Sequence, residues 1–560
     1  MYGRGVLETL RKRFDRARFF VRVVHSTGMV QPVRPARFVE FMRAAGKLRP
    51  GPHLTVMFHA AAHPDKEAVI EYGAAFVKRM TWGELDATIN RVANALLSRG
   101  VAGGGRVALM LPNGSEYLIA HQALARIGAT AVQIGYHLKP AEIAHILSNA
   151  EPGATLVHAD QLATLTAARA QAGQRGPMIV VGELPAAEAG RRATDIIEWD
   201  RALAAASPEV PAARGGDGGG VIVYTSGTTG KSKGAHRSWK TTGLETIADL
   251  AFQVGLRADD RHLVVCPLYH SAAPAFVALM LGLGATVVLM NHFDPAGALE
   301  IIERERVTCT LMVPTMIVRI TNLPDLPARD TSSLRWVMSV AAPLSTEAAR
   351  RFMKRFGPIL WNFYGSTETG LVTLAGPADH VARPGTIGRA LRGNEIRLLD
   401  DTGREVPDGE VGELYARNAM LISGYHRNQE ATRSSLRDGF FSVGDLGRRD
   451  ADGFYYLESR KHDMVISGGV NIYPREIEDH LLAHPAILDA AVIGVPDPEW
   501  GESLRAFVVL RDGHQLTEPE VIGYCREHLA DFKRPRRVSF VPELPRNPTG
   551  KILKRALREQ

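Results

Sequence analysis

At 560 residues, with 45% hydrophobic and 23% charged side chains, the chain is long enough for several domains or for one large and one small unit, each with a sizeable core. No run approaches the roughly twenty apolar residues of a membrane span, arginines break the apolar stretches near the N-terminus, which argues against a signal peptide, and Cys266, Cys309 and Cys525 lie too far apart for a zinc or disulfide framework and suit a reducing cytoplasm. The net charge of +7 is unevenly placed: residues 1–50 hold 12 Lys and Arg against 3 Asp and Glu, while the rest holds 55 against 57, so the basicity belongs to an N-terminal arm, and no RNA-reading aromatic motif accompanies it to suggest a nucleic acid partner.

In that arm Leu7, Leu10, Phe14, Ala17, Val21 and Val24 recur at helical spacing, with Arg11, Lys12, Arg13, Arg16, Arg18 and Arg22 around them. A basic amphipathic helix either lies peripherally on an anionic membrane surface or packs its stripe on the body and solvates its arginines. A stripe alone is more often core, and the packed arrangement is preferred. From residue 54 to 210 helical and strand-like segments alternate: 82–98 reads as a helix, 107–111 and 131–134 as strands. Such alternation argues an α/β fold with largely parallel strands.

The apolar run Val221-Ile222-Val223 reads as a buried strand, and Tyr224-Thr225-Ser226-Gly227-Thr228-Thr229-Gly230-Lys231-Ser232-Lys233-Gly234 follows it. Glycines let the backbone turn and approach a ligand closely. Successive N–H groups in such a turn form an anion-binding concavity, and the hydroxyls and lysines add donors and positive charge. The loop is not a Walker A motif, which needs a glycine where Thr225 stands. Further strand-like runs occur at 264–266, 285–289 and 311–313, and residues 385–457 are dense in glycine and short β-like segments.

The loop resembles the signature loop of the adenylate-forming superfamily, in its acyl-CoA synthetase branch, whose usual form has Pro where this chain has Ser232. The resemblance continues in order: Pro267-Leu268-Tyr269-His270-Ser271, Tyr364-Gly365-Ser366-Thr367-Glu368-Thr369, Gly412-Glu413-Leu414-Tyr415 with Gly424-Tyr425, Phe441-Ser442-Val443-Gly444-Asp445, Arg460-Lys461-His462-Asp463 running into Ser467-Gly468-Gly469, and Pro548-Thr549-Gly550-Lys551. It implies an α/β fold. A large N-terminal domain of two α/β subdomains plus a small β-barrel-like region is followed by a small mobile α+β C-terminal domain. The expected divisions are a basic arm over 1–50, a large adenylate-forming domain over 51–459 and a lid over 460–560.

A carboxylate is a poor electrophile, because oxide is a poor leaving group. The resemblance implies that ATP cures this by forming acyl-AMP, which coenzyme A then attacks. Two anions meet in the first step, so positive charge and fixed dipoles are needed. The resemblance assigns Thr225, Ser226, Gly227, Thr228, Thr229 and Lys233 to the β- and γ-phosphates, and Glu368 to Mg²⁺, with Thr225 and Thr367 at the phosphate and metal region. Tyr364 would stack on adenine, with Gly365 and Ala342 completing the nucleotide site. Asp445 would accept from both ribose hydroxyls and Arg460 would reinforce the ribose. Lys551 would bridge the substrate carboxylate and the α-phosphate, so that Lys551, Glu368 and Lys233 carry catalysis. Ser467, Gly468 and Gly469 would border the coenzyme A path once the lid turns about His462, a position usually Asp or Lys.

The acyl pocket is expected near His270, 313–316 and 340–343, with His270 and Ala341 gating it. No charge lies in these stretches, which argues for a medium- or long-chain fatty acid first and an aryl acid second. Delivery of the acyl group to a carrier protein is the alternative to coenzyme A. The expected setting is cytoplasmic, with any membrane contact peripheral.

Overall fold

The computed structural model describes residues 2–184, 196–212, 219–225, 232–240, 243–323, 329–547 and 550–560, with side chains from residue 14 onward. Two compact units emerge. The first comprises residues 1–311, 327–336 and 419–434, and the second 312–326, 337–418 and 435–560.

The first unit opens with two helices, α1 (Tyr2–Thr27) and α2 (Pro35–Ala45). Helix α1 lies on α3 (Leu244–Val254). Of the stripe read from spacing, Val24 is half-buried and the other described side chains stay out of that contact. Phe14, Ala17 and Val21 face solvent, and the helix docks through Phe19, Val23 and Thr27, the last two buried. These recur at i, i+4 and i+8, one helix face. Thr27 escapes an apolar count, yet its hydroxyl returns to the Val23 carbonyl at 2.8 Å and so hides its polarity. Leu7 and Leu10 lie among the residues whose side chains are outside the description.

The body of this unit holds a sheet of parallel strands in the order Gly220–Thr225, Thr130–Gln133, Arg106–Met110, Ala154–His158, Met178–Val181 and Ile196–Glu198. Lys233–Ser238 and Gly424–Tyr425 add antiparallel at one edge. The strands at 106 and 130 are almost wholly buried, as expected for parallel strands covered on both faces. The helix Trp82–Leu97 starts on a reciprocal cap: Thr81 accepts from the Glu84 N–H, and the Glu84 carboxylate accepts from the Thr81 N–H at 2.8 Å. A second parallel set pairs Arg261–Val264 with Thr286–Met290 on one side and Cys309–Met312 on the other.

In the second unit Trp336–Ser339 and Leu360–Ser366 are parallel, and the sheet then turns antiparallel. The order Glu395–Leu399, Gly412–Arg417, Phe440–Arg449, Tyr455–Arg460, Thr386–Ala390 carries the glycine-dense region, over a core of Tyr364, Val372, Leu398, Leu414 and Tyr455. The C-terminal part is a five-stranded sheet built on the long hairpin Ile487–Asp497 and Gly501–Leu510, with the helices Pro474–Leu482 and Glu518–His528. The Arg475 side chain ties it to the Leu344 carbonyl at 2.9 Å within the same unit.

Candidate functional site

Candidate site residues fall in both units. In the first, the strand Gly220–Thr225 ends where the anion loop begins, and Thr225 pairs with Lys233 in the returning strand. Ser226, Gly227, Thr228 and Thr229 lie outside the described residues. The Lys233 ammonium stands 5.3 Å from the Tyr425 ring centroid, a cation–π distance that fixes a long flexible side chain at the loop's exit. His145 bonds the Ser232 carbonyl at 3.1 Å and Tyr224 donates to Asn149 at 2.6 Å, so the loop's two ends are held by the same helix.

His270 belongs to an aromatic cluster just past the carboxyl ends of parallel strands, where α/β folds place ligands. Its ring centroid is 4.4 Å from Tyr269, which meets Tyr136 edge-on at 5.2 Å. Gly135 packs closely there, because a Cβ would stand 3.0 Å from the Tyr269 ring and the ring would have to shift. Burial pulls His270 down to about 4, so the ring is neutral at pH 7. Its Nε2 and the Tyr269 hydroxyl are buried without a partner among the described residues. The segment is stapled by buried Asn113, whose amide donates to the Cys266 carbonyl at 3.1 Å and accepts from the Leu268 N–H at 2.8 Å. Sequence reading missed Tyr136, Tyr269 and Asn113 as site residues. The Pro112-Asn113-Gly114 run signals only a turn, and no local pattern marks a long-range staple.

The second unit gathers more. Asp445 and Arg460 face each other across paired strands, with Nε 3.3 Å from Oδ1. The Tyr364 hydroxyl donates to the other Asp445 oxygen at 2.9 Å. Burial, then Asp445, holds the phenol well above its ordinary range, and nearby Glu368 adds to this. Gly365 sits at a strand irregularity where any Cβ would collide with the Gly370 carbonyl. The next residues form a tight turn closed on the Ser366 hydroxyl, which accepts from the Glu368 and Thr369 N–H groups at 3.1 and 3.0 Å. That turn carries Thr367 and presents Glu368, which is buried.

Lys551 reaches this cluster. Its N–H donates to Asn547 at 2.9 Å, and Gly550 has φ +76 with a Cβ position pressed on Thr315. Pro548 and Thr549 lie outside the described residues. Burial lowers Lys551 to about 8. Arg460 pushes the same way, and the Asp445 and Asp463 carboxylates oppose it. Asp463, quoted in the motif but given no role, is thus a neighbour of Lys551. His462 is half exposed, 3.7 Å from Asp463, and is lowered by burial.

Ala341 has φ +69, a left-handed conformation that a non-glycine residue rarely adopts. It follows the strand Trp336–Ser339, and the Ala342 N–H turns back to the Val340 carbonyl at 2.9 Å. Gly468 and Gly469, at φ +57 and +79, form a two-residue hairpin turn between Val465–Ser467 and Val470–Ile472. Positive φ at both central residues is the geometry that matches strand twist. A Cβ on Gly468 would strike the Trp500 ring at 2.7 Å, whereas Gly469 faces open space.

The AMP-binding enzyme family matches residues 57–426, and the AMP-binding enzyme C-terminal domain matches residues 476–551. The chain belongs to this family, and its fold is that of the adenylate-forming enzymes. It is 36% identical over 513 residues to a feruloyl-CoA synthase of Amycolatopsis sp., covering 90% of this chain and 97% of that one. It is 33% identical over 483 residues to the long-chain-fatty-acid–CoA ligase FadD13 of Mycobacterium tuberculosis, covering 86% and 93%. Among solved structures, the anthranilate CoA ligase AuaEII with anthranoyl-AMP superposes with a TM-score of 0.83 at 27% identity, covering 91% and 97%.

Proposed function

We propose that the chain is an AMP-forming acid–CoA ligase, which activates a carboxylic acid with ATP and passes the acyl group to coenzyme A. The observation that carries this is the closed group Tyr364, Asp445, Arg460 and Lys551, a polar cluster with a desolvated ammonium at its edge. The acid's oxygen attacks the α-phosphorus of ATP and pyrophosphate leaves. Lys551 neutralises both anions as they meet. The thiol then attacks the acyl carbon, and AMP leaves with the bonding pair. Asp445 and Arg460 would hold the ribose, Tyr364 the adenine, and Thr225 through Thr229 with Lys233 the outer phosphates.

Glu368 would bind Mg²⁺. A single buried carboxylate fits this ion, which keeps waters and takes its other ligands from phosphate oxygens. No group of three or more metal-ligating side chains occurs among the described residues, so a preformed protein cage is not what is proposed. The ion would supply charge neutralisation on the phosphates.

Burial holds His270 neutral, and no Asp, Glu, Lys or Arg lies in residues 267–271, 313–316 or 340–343, which supports an apolar acyl group, and a medium- or long-chain fatty acid is the first reading. An aryl acid is the second. The unpartnered Tyr269 hydroxyl and His270 Nε2 favour it, because a hydroxyl or amine on the ring would satisfy them. The deciding experiment measures pyrophosphate and AMP release across fatty, aryl and short-chain acids, with and without coenzyme A. Acid-dependent release with thiol consumption supports the proposal. Release that needs a carrier protein instead transfers it to the alternative acceptor, and no release with any acid overturns it. All three cysteines are buried and free, and a reducing cytosol is the proposed setting.

A further inference from the structure

Helix α1 has two different faces. The inner one is fixed. Phe19 meets Phe252 edge-on at 5.9 Å, Arg16 pairs with Glu245 at 3.5 Å, and the Thr27 carbonyl accepts the Ala258 N–H at 2.8 Å. On the outer face Phe14 and Val21 are 63% and 69% exposed, with exposed Ala17 between them and Arg18 and Arg22 beside them. The Arg18 guanidinium lies 5.8 Å from the Phe14 ring centroid. Helix α2 repeats the pattern. It buries no residue fully, rests Phe41 on Phe58 at 5.6 Å, and leaves Phe38 and Met42 44% and 53% exposed. Exposed apolar residues scattered singly need no explanation, but several on one basic arm do.

We propose that this arm is a docking surface for an anionic lipid bilayer. The apolar side chains would enter the headgroup boundary while the arginines meet the lipid phosphates. Charge decides the occupant: 12 Lys and Arg against 3 Asp and Glu over residues 1–50 match an anionic sheet. A second copy is disfavoured, since a two-fold contact sets the same basic surface against itself. Nucleic acid would use the arginines and leave Phe14, Val21, Phe38 and Met42 wet. No helix among the described residues is long and apolar enough to cross a membrane, so the contact is at the surface. Docking of α1 on the body makes the arm a rigid presenter of its outer face.

The test uses the full chain and sedimentation with phosphatidylcholine vesicles, with and without phosphatidylglycerol. The chain should sediment with the anionic vesicles alone, and less so as salt rises, because screening contracts to about 3 Å at 1 M. Arg18→Gln with Arg22→Gln should weaken binding about 10- to 30-fold. Phe14→Ser with Val21→Ser should abolish it. Both variants change exposed side chains that are not among the candidate site residues, so circular dichroism and acid-dependent pyrophosphate release in solution should match the parent. Vesicle binding unchanged in both variants overturns the proposal. So does a parent that ignores anionic vesicles, or one whose variants change oligomeric state by light scattering and not vesicle binding. Vesicle binding is read without ATP or acid, so its failure is distinct from failure of the ligase reading.

Discussion

Lys551 is the residue on which the proposed chemistry turns. Lys551→Ala should slow acid-dependent pyrophosphate release about 10²–10³-fold, yet spare thioester formation from supplied acyl-AMP, since the charge is needed where two anions meet. Equal loss in both half-reactions would remove that division. A pH profile follows from the lysine's depressed position near 8. The cation is the working form, so kcat/KM for adenylation should hold below pH 8 and fall as pH rises through it; kcat/KM reports the free enzyme. Flat kcat/KM up to pH 9.5 or so, about a unit under the unperturbed lysine value, would mean the group is not desolvated in solution. Ala341 offers a cleaner reading of strain. Left-handed backbone burdens a non-glycine residue by about 1–2 kcal/mol, partly offset by the greater freedom of glycine when unfolded. Ala341→Gly should therefore raise stability by up to about 1 kcal/mol in urea and shift preference toward bulkier acids. A variant less stable than the parent would show that the methyl packs favourably. Lys551, Asp445 and Glu368 were open to proposal from sequence because each sits in a short contiguous motif. Tyr136 and Tyr269 were not, because their meeting depends on two elements brought together by a parallel sheet.

At the scale of the element, the hairpin around Gly468-Gly469 shows how a turn type dictates composition. Two consecutive positive φ values leave few residue choices, and the glycine pair in the sequence was enough to expect a close backbone approach. What it did not indicate is which glycine is crowded. Gly468 lies against Trp500 and donates its N–H to the Trp500 carbonyl at 2.8 Å. Gly468→Ala should lower stability by about 1–2 kcal/mol and slow thioester formation while pyrophosphate release persists. If both steps are untouched, the turn has no part in thiol access. Helix α1 teaches the opposite lesson. Its periodicity was plain, but two faces compete at helical spacing. The docked one contains a threonine and sets Phe19 edge-on against Phe252 of the neighbouring helix, so apolar counting selected the face that stays in solvent.

Across the whole molecule, fold class followed from alternation of strands and helices, because parallel strands covered on both sides must be apolar throughout. The division of positive charge between arm and body was equally plain from counting. Composition could not show the state in which the C-terminal sheet rests. In the second unit that sheet brings Lys551 beside Asp445, Arg460 and Asp463.

That placement bears on the order in which substrates are taken. On the roles proposed above, a chain folded with this lysine already beside Asp445 and Arg460 has its proposed adenylation lysine and ribose partners assembled within one unit before substrates arrive. Mixed rapidly with ATP and acid, it should release pyrophosphate in a burst with no lag. Thioester should appear after a delay that coenzyme A concentration does not shorten, since a turn of the lid about His462 would come first. Initial-rate patterns should then show pyrophosphate leaving before the thiol is needed. A lag in pyrophosphate that prior incubation with coenzyme A removes would reverse the sequence.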